Sequence, residues 1–116
     1  MADWYARPVF PVADVSGALE FYCDSLGFSE DWRFGEEDDI HAAQVSRDGC
    51  EVLLRKLPGK AGTGLVFLSL DPEQLDLLRE EYEDSGVALE DGWWGYQLME
   101  VLDPDGNRLQ FAYPAE

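Results

Sequence analysis

Basic residues are scarce in this chain. Eight lysines and arginines stand against 25 aspartates and glutamates, giving a formal net charge of −17. A surface of that sign repels phosphate, so neither DNA nor RNA is an expected partner. Histidine occurs once, as His41, and cysteine twice, as Cys23 and Cys50. One histidine cannot supply the two imidazoles of a two-His-one-carboxylate iron site within one chain. No Ser-His-Asp or activated-cysteine arrangement is legible either. The cysteines lack metal-ligand spacing and read as reduced thiols packed as small hydrophobes. No apolar run approaches membrane-spanning length, and residues 1–11 lack a basic region followed by an apolar stretch. These absences lead to the expectation of a cytoplasmic protein with no membrane partner.

What is present is enough apolar material for a core. The 116 residues are 46% hydrophobic, which argues for one folded domain and against disorder. The acidity has two compatible readings. It provides a strongly hydrated surface of the kind a salt-adapted protein carries, and it provides a field that attracts a cationic ligand. Charge alone does not choose between them.

The chain resembles itself at an offset of 57 residues. Asp14 pairs with Asp71, each opening a helical pattern, and Phe10 with Phe67 ahead of them. Asp48-Gly49 pairs with Asp105-Gly106, followed by Val52 and Leu54 against Leu109 and Phe111. Two copies of a unit this long are not a solenoid; they read as two supersecondary modules with a cleft between them. Module one covers residues 1–57, a linker 58–63, and module two 64–116. In the first, 7–12 reads as a strand and Asp14 as an N-cap. Val15, Ala18, Leu19, Tyr22 and Leu26 follow at helical spacing until Gly27 stops the helix. Residues 28–34 alternate as a strand, 35–39 form an acidic loop, and 40–47 and 50–57 make a hairpin around Asp48-Gly49. In the second, 65–70 is a strand, Asp71-Pro72 opens a helix ended by Gly86, and strands follow over 87–89, 95–102 and 107–113. Each half reads strand, helix, strand, strand, strand.

Those residues resemble a known family. The opening Pro8-Val9-Phe10-Pro11-Val12-Ala13-Asp14-Val15, with Phe21-Tyr22 and Leu26-Gly27-Phe28, is similar to the start of the glyoxalase, bleomycin-resistance and extradiol-dioxygenase superfamily, the vicinal oxygen chelate proteins. Trp94-Gly95, then Asp103-Pro104-Asp105-Gly106-Asn107 and Leu109-Gln110-Phe111, resemble its closing signature. The resemblance implies an α+β fold of two βαβββ modules, whose curled sheets surround a cleft, and a homodimer. The family's enzymes hold a metal at four positions, which fall here on Arg7, Leu53, Gly64 or Leu65, and Gln110. Only Gln110 offers a donor, and Arg7 is a fixed cation. The expectation is therefore no metal, no cofactor and no catalytic residue.

What remains is an aromatic site. Trp32 and Phe34 lie on the second strand, Phe67 on the fifth, and Trp93, Trp94 and Tyr96 near the seventh. With His41 and Gln110 these are the candidate ligand-binding residues. Each aromatic also has a plainer reading, as core or dimer-interface residue. As a site, the rings stack on a flat heteroaromatic, while carboxylates of residues 36–39 with Glu90 and Asp91 hold cationic groups. The stretch from Phe21 to Phe28 and on to Trp32 resembles the bleomycin-resistance branch, which implies a non-catalytic protein sequestering a cationic, planar antibiotic. The alternatives are a glyoxalase- or dioxygenase-like metal-dependent enzyme and a family member with an unidentified ligand.

Overall fold

The computed structural model describes residues 4–114. Its elements run β1 (Val9–Val12), α1 (Val15–Glu20) continued by a π-helical turn (Phe21–Ser25), β2 (Ser29–Glu36), β3 (Asp39–Arg47) and β4 (Cys50–Lys56). A 3-10 turn (Pro58–Lys60) leads to β5 (Leu65–Ser69), α2 (Pro72–Asp84), β6 (Glu90–Trp93), β7 (Tyr96–Leu102) and β8 (Arg108–Pro114). They form two four-stranded sheets, β1-β4-β3-β2 and β5-β8-β7-β6, in which β1 and β5 pair in parallel and the rest antiparallel. No helix among the described residues is long and apolar enough to cross a membrane.

Local chemistry sets the helix starts. The Asp14 carboxylate accepts from the Gly17 amide at 3.2 Å. At α2, Asp71 and Gln74 form a reciprocal capping box, with Pro72 in the first turn where its missing N–H costs nothing. The apolar stripes of both helices enter one continuous core with the inward residues of both sheets. It contains Phe10, Val12, Leu19, Tyr22, Leu54, Leu78, Tyr82, Met99, Leu109 and Phe111. Neither module could bury its helix-bearing face alone, and each uses the other.

The Asp103-Pro104-Asp105-Gly106-Asn107 turn joins the modules. Asp103 Oδ1 accepts from the amides of Asp105 and Asn107, both at 2.9 Å. Asp103 Oδ2 accepts from Asn107 Nδ2 at 2.8 Å and from the Tyr22 hydroxyl at 3.0 Å. Asn107 Nδ2 also reaches the Pro11 carbonyl at 2.8 Å, and its Oδ1 takes the Gly64 amide at 2.7 Å. Gly64 is required there, since a Cβ would stand 2.5 Å from the Phe10 ring and 2.8 Å from Asn107 Oδ1. On the far side of the core Tyr82 donates to the Leu26 carbonyl at 2.9 Å. Arg47 forks onto Glu81 with two 2.7 Å bonds, and the guanidinium holds that carboxyl below its usual range.

Three sequence expectations are corrected. The strand expected over 87–89 begins three residues later, at Glu90. Val87 and Leu89 owe their apolar character to packing on the core, not to a ladder. The acidic loop over 35–39 contracts to a turn at Glu37-Asp38, because Gly35 pairs with Ile40 and Glu36 with Asp39. Phe10 and Phe67 are not equivalent. Phe10 pairs with Leu54 and Leu68 with Phe111, so the first strands are related by 58 residues where the last strands are related by 57. Phe10 therefore lies in the core while Phe67 points away from it.

Candidate functional site

Strand alternation gives each sheet one face packed on the core and one face without helices. On the first sheet, ladder register places Val9, Leu53, Gln44 and Trp32 in one row across the helix-free face, with Pro11, Arg55, Ala42 and Phe34 in the next. On the second sheet the corresponding face carries Leu65, Phe67, Gln110, Glu100, Leu98 and Tyr96.

The second sheet gathers an aromatic triad. Phe67 and Tyr96 meet edge to face with centroids 5.1 Å apart, and Trp94 lies 5.0 Å from Tyr96 and 5.7 Å from Phe67. Trp94 is 59% exposed, although a ring of this size is costly to leave in water. Beside Phe67, Gln110 donates to Glu100 at 2.8 Å, and Arg108 contacts the same carboxylate at 3.0 and 3.2 Å. Burial pushes the Glu100 pKa up, but the bonds from Gln110 and Arg108 outweigh it and hold the carboxyl below its usual range.

The first sheet carries Trp32 and Phe34, with Phe34 68% exposed. Two register shifts shape this face. Asp31 is the extra residue of a bulge between Glu30 and Trp32, and His41 is the extra residue opposite the step from Phe34 to Gly35. A Cβ on Gly35 would stand 2.8 Å from the His41 amide, which accounts for glycine at that bulge. The His41 ring lies 6.3 Å from that of Phe34, and its Nε2 is 3.5 Å from Asp39.

The sequence candidates thus divide. Phe67, Trp94, Tyr96 and Gln110 share one helix-free face, and Trp32 and Phe34 share the other, with His41 at its rim. Trp93 turns the opposite way, lining a depression with Leu70, Pro72 and Tyr113. Of the carboxylates expected to hold cations, Asp39 is taken by Lys56 at 2.6 Å and Asp91 by Arg79 on the helix side. Sequence reasoning missed Asp31, Gln44, Glu100 and Arg55. Their positions on the face follow from ladder register and from a bulge that the residue pattern does not announce.

A separate cavity of about 390 Å³ opens on the helix side between the modules, lined by Phe28, Leu68, Leu78, Tyr82 and Phe111. It shares none of the helix-free aromatics.

Register also relates the four positions at which the resemblance implied a metal. Arg7 stands two residues before Val9, whose partner is Leu53, and Leu65 stands two before Phe67, whose partner is Gln110. By that register Leu65, more than Gly64, is the second-module counterpart of Arg7. A set of Arg7, Leu53, Leu65 and Gln110 contains one neutral oxygen donor and does not fit a metal. Among the described residues, no three His, Cys, Asp or Glu side chains converge elsewhere.

Two βαβββ modules sharing a core, each with an open face beyond its helix, define the class of two-module α+β proteins. The chain belongs to the glyoxalase superfamily, whose family model, described as "Glyoxalase superfamily protein", matches residues 5–116. It is 29% identical to a bleomycin resistance protein of Geobacillus stearothermophilus over 90% of this chain and 92% of that protein. It is similar to the bleomycin-binding protein of Streptomyces verticillus solved with copper(II)-bleomycin, with a TM-score of 0.76 and 27% identity over 100% of both chains. The fold is also that of TnmS3, an antibiotic binding protein from Streptomyces sp. CB03234, with a TM-score of 0.75 and 24% identity over 99% of both chains.

Proposed function

We propose that this protein binds and sequesters a planar aromatic antibiotic of the bleomycin class without chemically altering it, and that it does so as a homodimer. The observation that carries the reading is the exposed triad of Phe67, Trp94 and Tyr96 on a sheet face with no helix over it. Rings held at these spacings offer stacking surface, and they lose little conformational freedom when a flat ligand arrives. The similarity to bleomycin-resistance and bleomycin-binding proteins supports the ligand class. The metal-ligand positions occupied by Arg7, Leu53 and Leu65 support binding over metal-assisted catalysis. The −17 charge favours capture of a cationic ligand and makes that capture sensitive to salt.

The homodimer reading rests on apolar exposure. Phe34, Leu65, Phe67 and Trp94 stand open on the helix-free faces of one chain. A second copy set against them gives the ligand a two-walled site and removes apolar area from water.

The test is a tryptophan-fluorescence titration with metal-free bleomycin at low and high salt, run beside sedimentation of the free protein. Saturable quenching with micromolar or tighter affinity and about one ligand per chain is expected, from a sedimenting dimer. Absence of any change at both salts refutes bleomycin as the ligand class.

A further inference from the structure

The first sheet's helix-free face holds two cations that the aromatic reading does not use. Six of the eight basic residues are Arg33, Arg47, Lys56, Arg79, Arg108 and Lys60. All of these except Lys60 pair with a carboxylate. The other two, Arg7 and Arg55, have no carboxylate within ion-pair distance among the described residues. Both belong to the face that carries Trp32 and Phe34.

Arg7 is held in place. Its Nη1 donates to Gln44 Oε1 at 2.7 Å. Gln44 is only 6% exposed, and its Nε2 donates to Asp31 Oδ2 at 2.8 Å. Asp31 Oδ1 accepts from the Ser46 hydroxyl at 2.9 Å. The Asp31 carboxylate can only accept, so it fixes the amide group of Gln44 toward itself and leaves Gln44 Oε1 facing Arg7. The bulge that inserts Asp31 into β2 is what brings the carboxylate within reach. The guanidinium also lies 5.3 Å from the centroid of the exposed Tyr5 ring. A guanidinium has five N–H donors in a planar fork. One is used here.

Arg55 sits four residue steps along the same face, paired with Pro11 and Ala42, and two strands over from Phe34, which pairs with Ala42 from the other side. Strand geometry puts the two α-carbons about 14 Å apart, with Leu53 between them. Two extended arginine side chains close most of that span. Asp31 and Glu51 are carboxylates of the same region, and Glu36 stands two residues beyond Phe34 on β2 without an ion pair to either arginine. Asp31 is engaged by Gln44 and Ser46, and Glu51 lies outside ion-pair distance of both arginines. In a protein of charge −17, two guanidiniums with no ion-pair partner among the described residues, set on one sheet face with two exposed rings, match one ligand chemistry, a flat ring system bearing an acid.

We infer that Arg7, oriented by Gln44 and Asp31, and Arg55 form the recognition element for an anionic group, a carboxylate or sulfonate, borne by a planar aromatic ligand lying on Trp32 and Phe34. The inference rests on the proposed aromatic-binding reading and names the polar chemistry at one wall of that site. A ligand carrying both signs satisfies both features. The acidic field draws in its cationic part, and the arginine pair fixes its acidic part. Gln44 and Asp31 are positioning residues, because they act through Arg7.

The test uses three probes that share one ring system, 2-naphthoate, 2-naphthamide and 2-naphthylmethylammonium, with affinity read from tryptophan fluorescence. Arginine side-chain N–H resonances are followed by NMR. The expected result is roughly fivefold tighter binding of naphthoate than of naphthamide, with the Arg7 side-chain resonance moving for naphthoate alone. Arg7→Gln and Arg55→Gln each reduce that ratio, and together bring it to about one. Gln44→Leu reduces it while both arginines remain. Arg33→Gln, on the opposite face and paired with Glu30, leaves it unchanged. All these side chains except Gln44 are solvent-exposed, so thermal melts are expected to match the parent, and the two arginine variants decide the matter if Gln44→Leu fails to fold. Equal or weaker binding of naphthoate, or a preference that survives both arginine substitutions, overturns the inference. If bleomycin or naphthamide still binds in that case, the aromatic-binding reading stands and only the arginine assignment falls. If no ring compound binds at all, both fall together.

Discussion

The Tyr22 hydroxyl donates to Asp103 Oδ2 at 3.0 Å across 81 positions of sequence, inside a pocket that also brings Asn107 to the same carboxylate. Asp103 is 4% exposed and its two oxygens receive four donors. Those bonds join the π-helical turn that continues α1 in the first module to the β7–β8 turn of the second. Burial, followed by the Asp103 charge and its hydrogen bond, drives the Tyr22 pKa far above the ordinary tyrosine value.

Removing either partner is expected to destabilise by unequal amounts. Tyr22→Phe deletes one donor and keeps the ring, at a cost of about 1–2 kcal/mol. Asp103→Ala leaves four donors without an acceptor and costs at least about 3 kcal/mol. Urea unfolding measures both, and the double variant tests coupling, which is expected near 1 kcal/mol in the direction of less-than-additive loss. Equal costs for the two single variants would contradict the four-donor arrangement.

The two buried tyrosines predict an alkaline limit to stability. Burial pushes Tyr82 up to about 12 and Tyr22 further still. A phenol whose folded pKa exceeds its unfolded value of about 10 favours the folded state while neutral. Its contribution is complete below pH 10 and is lost as pH rises toward the folded value, because only the unfolded chain then releases the proton. Stability is expected to fall from about pH 10 upward. In Tyr82→Phe, which also loses the 2.9 Å bond to Leu26, that slope is expected to be shallower. On the acid side the sign reverses. Glu81 is held low by Arg47 and Glu30 by Arg33, so these pairs contribute above the ordinary carboxylate range and fade as pH drops below about 4. Their exposure keeps the acid limb shallow.

Much of this architecture was legible because each module repeats the same local signals. Asp14 and Asp71 cap helices, Asp48-Gly49 turns a hairpin, and two βαβββ units appear in the expected order. The site was less legible, because side chains reach a face only through register. The 57-residue offset equates Phe10 with Phe67, yet the first strands differ by one more residue, and one residue exchanges core for solvent. Trp93 and Trp94 are adjacent in sequence and for the same reason face opposite ways. The bulge at Asp31 leaves no mark in the hydrophobic pattern, so the Asp31–Gln44–Arg7 chain was invisible without coordinates.

The cysteines provide a check on packing. Burial pushes both the Cys23 and Cys50 thiols above the ordinary value, helped by Glu30 and Asp24 for the first and Glu51 for the second. The thiolate is the reacting species. Alkylation by iodoacetamide near pH 8 is expected to be several-fold slower than for a free thiol, and to reach the free rate in urea. Two fast-reacting thiols in the native protein would contradict both environments.

The neighbouring tryptophans distinguish a stacking site from general aromatic exposure. Trp94 contacts Phe67 and Tyr96, whereas Trp93, also exposed, lies beside Pro72 and Tyr113 on the other side of the sheet. If the triad is the stacking surface, Trp94→Ala removes a ring worth about 1–2 kcal/mol to a flat ligand, which is roughly a tenfold rise in the bleomycin Kd. Trp93→Ala is expected to leave Kd within about twofold, since a ring on the opposite face cannot share the ligand. Stability offers no alternative explanation, because both rings are exposed and neither belongs to the buried core. Calorimetric titration of the two variants reads the difference directly. Equal losses for both would place the ligand astride the β6–β7 turn and not on the helix-free face, whereas a loss confined to Trp94 fixes the ligand beside Phe67, Tyr96 and Gln110.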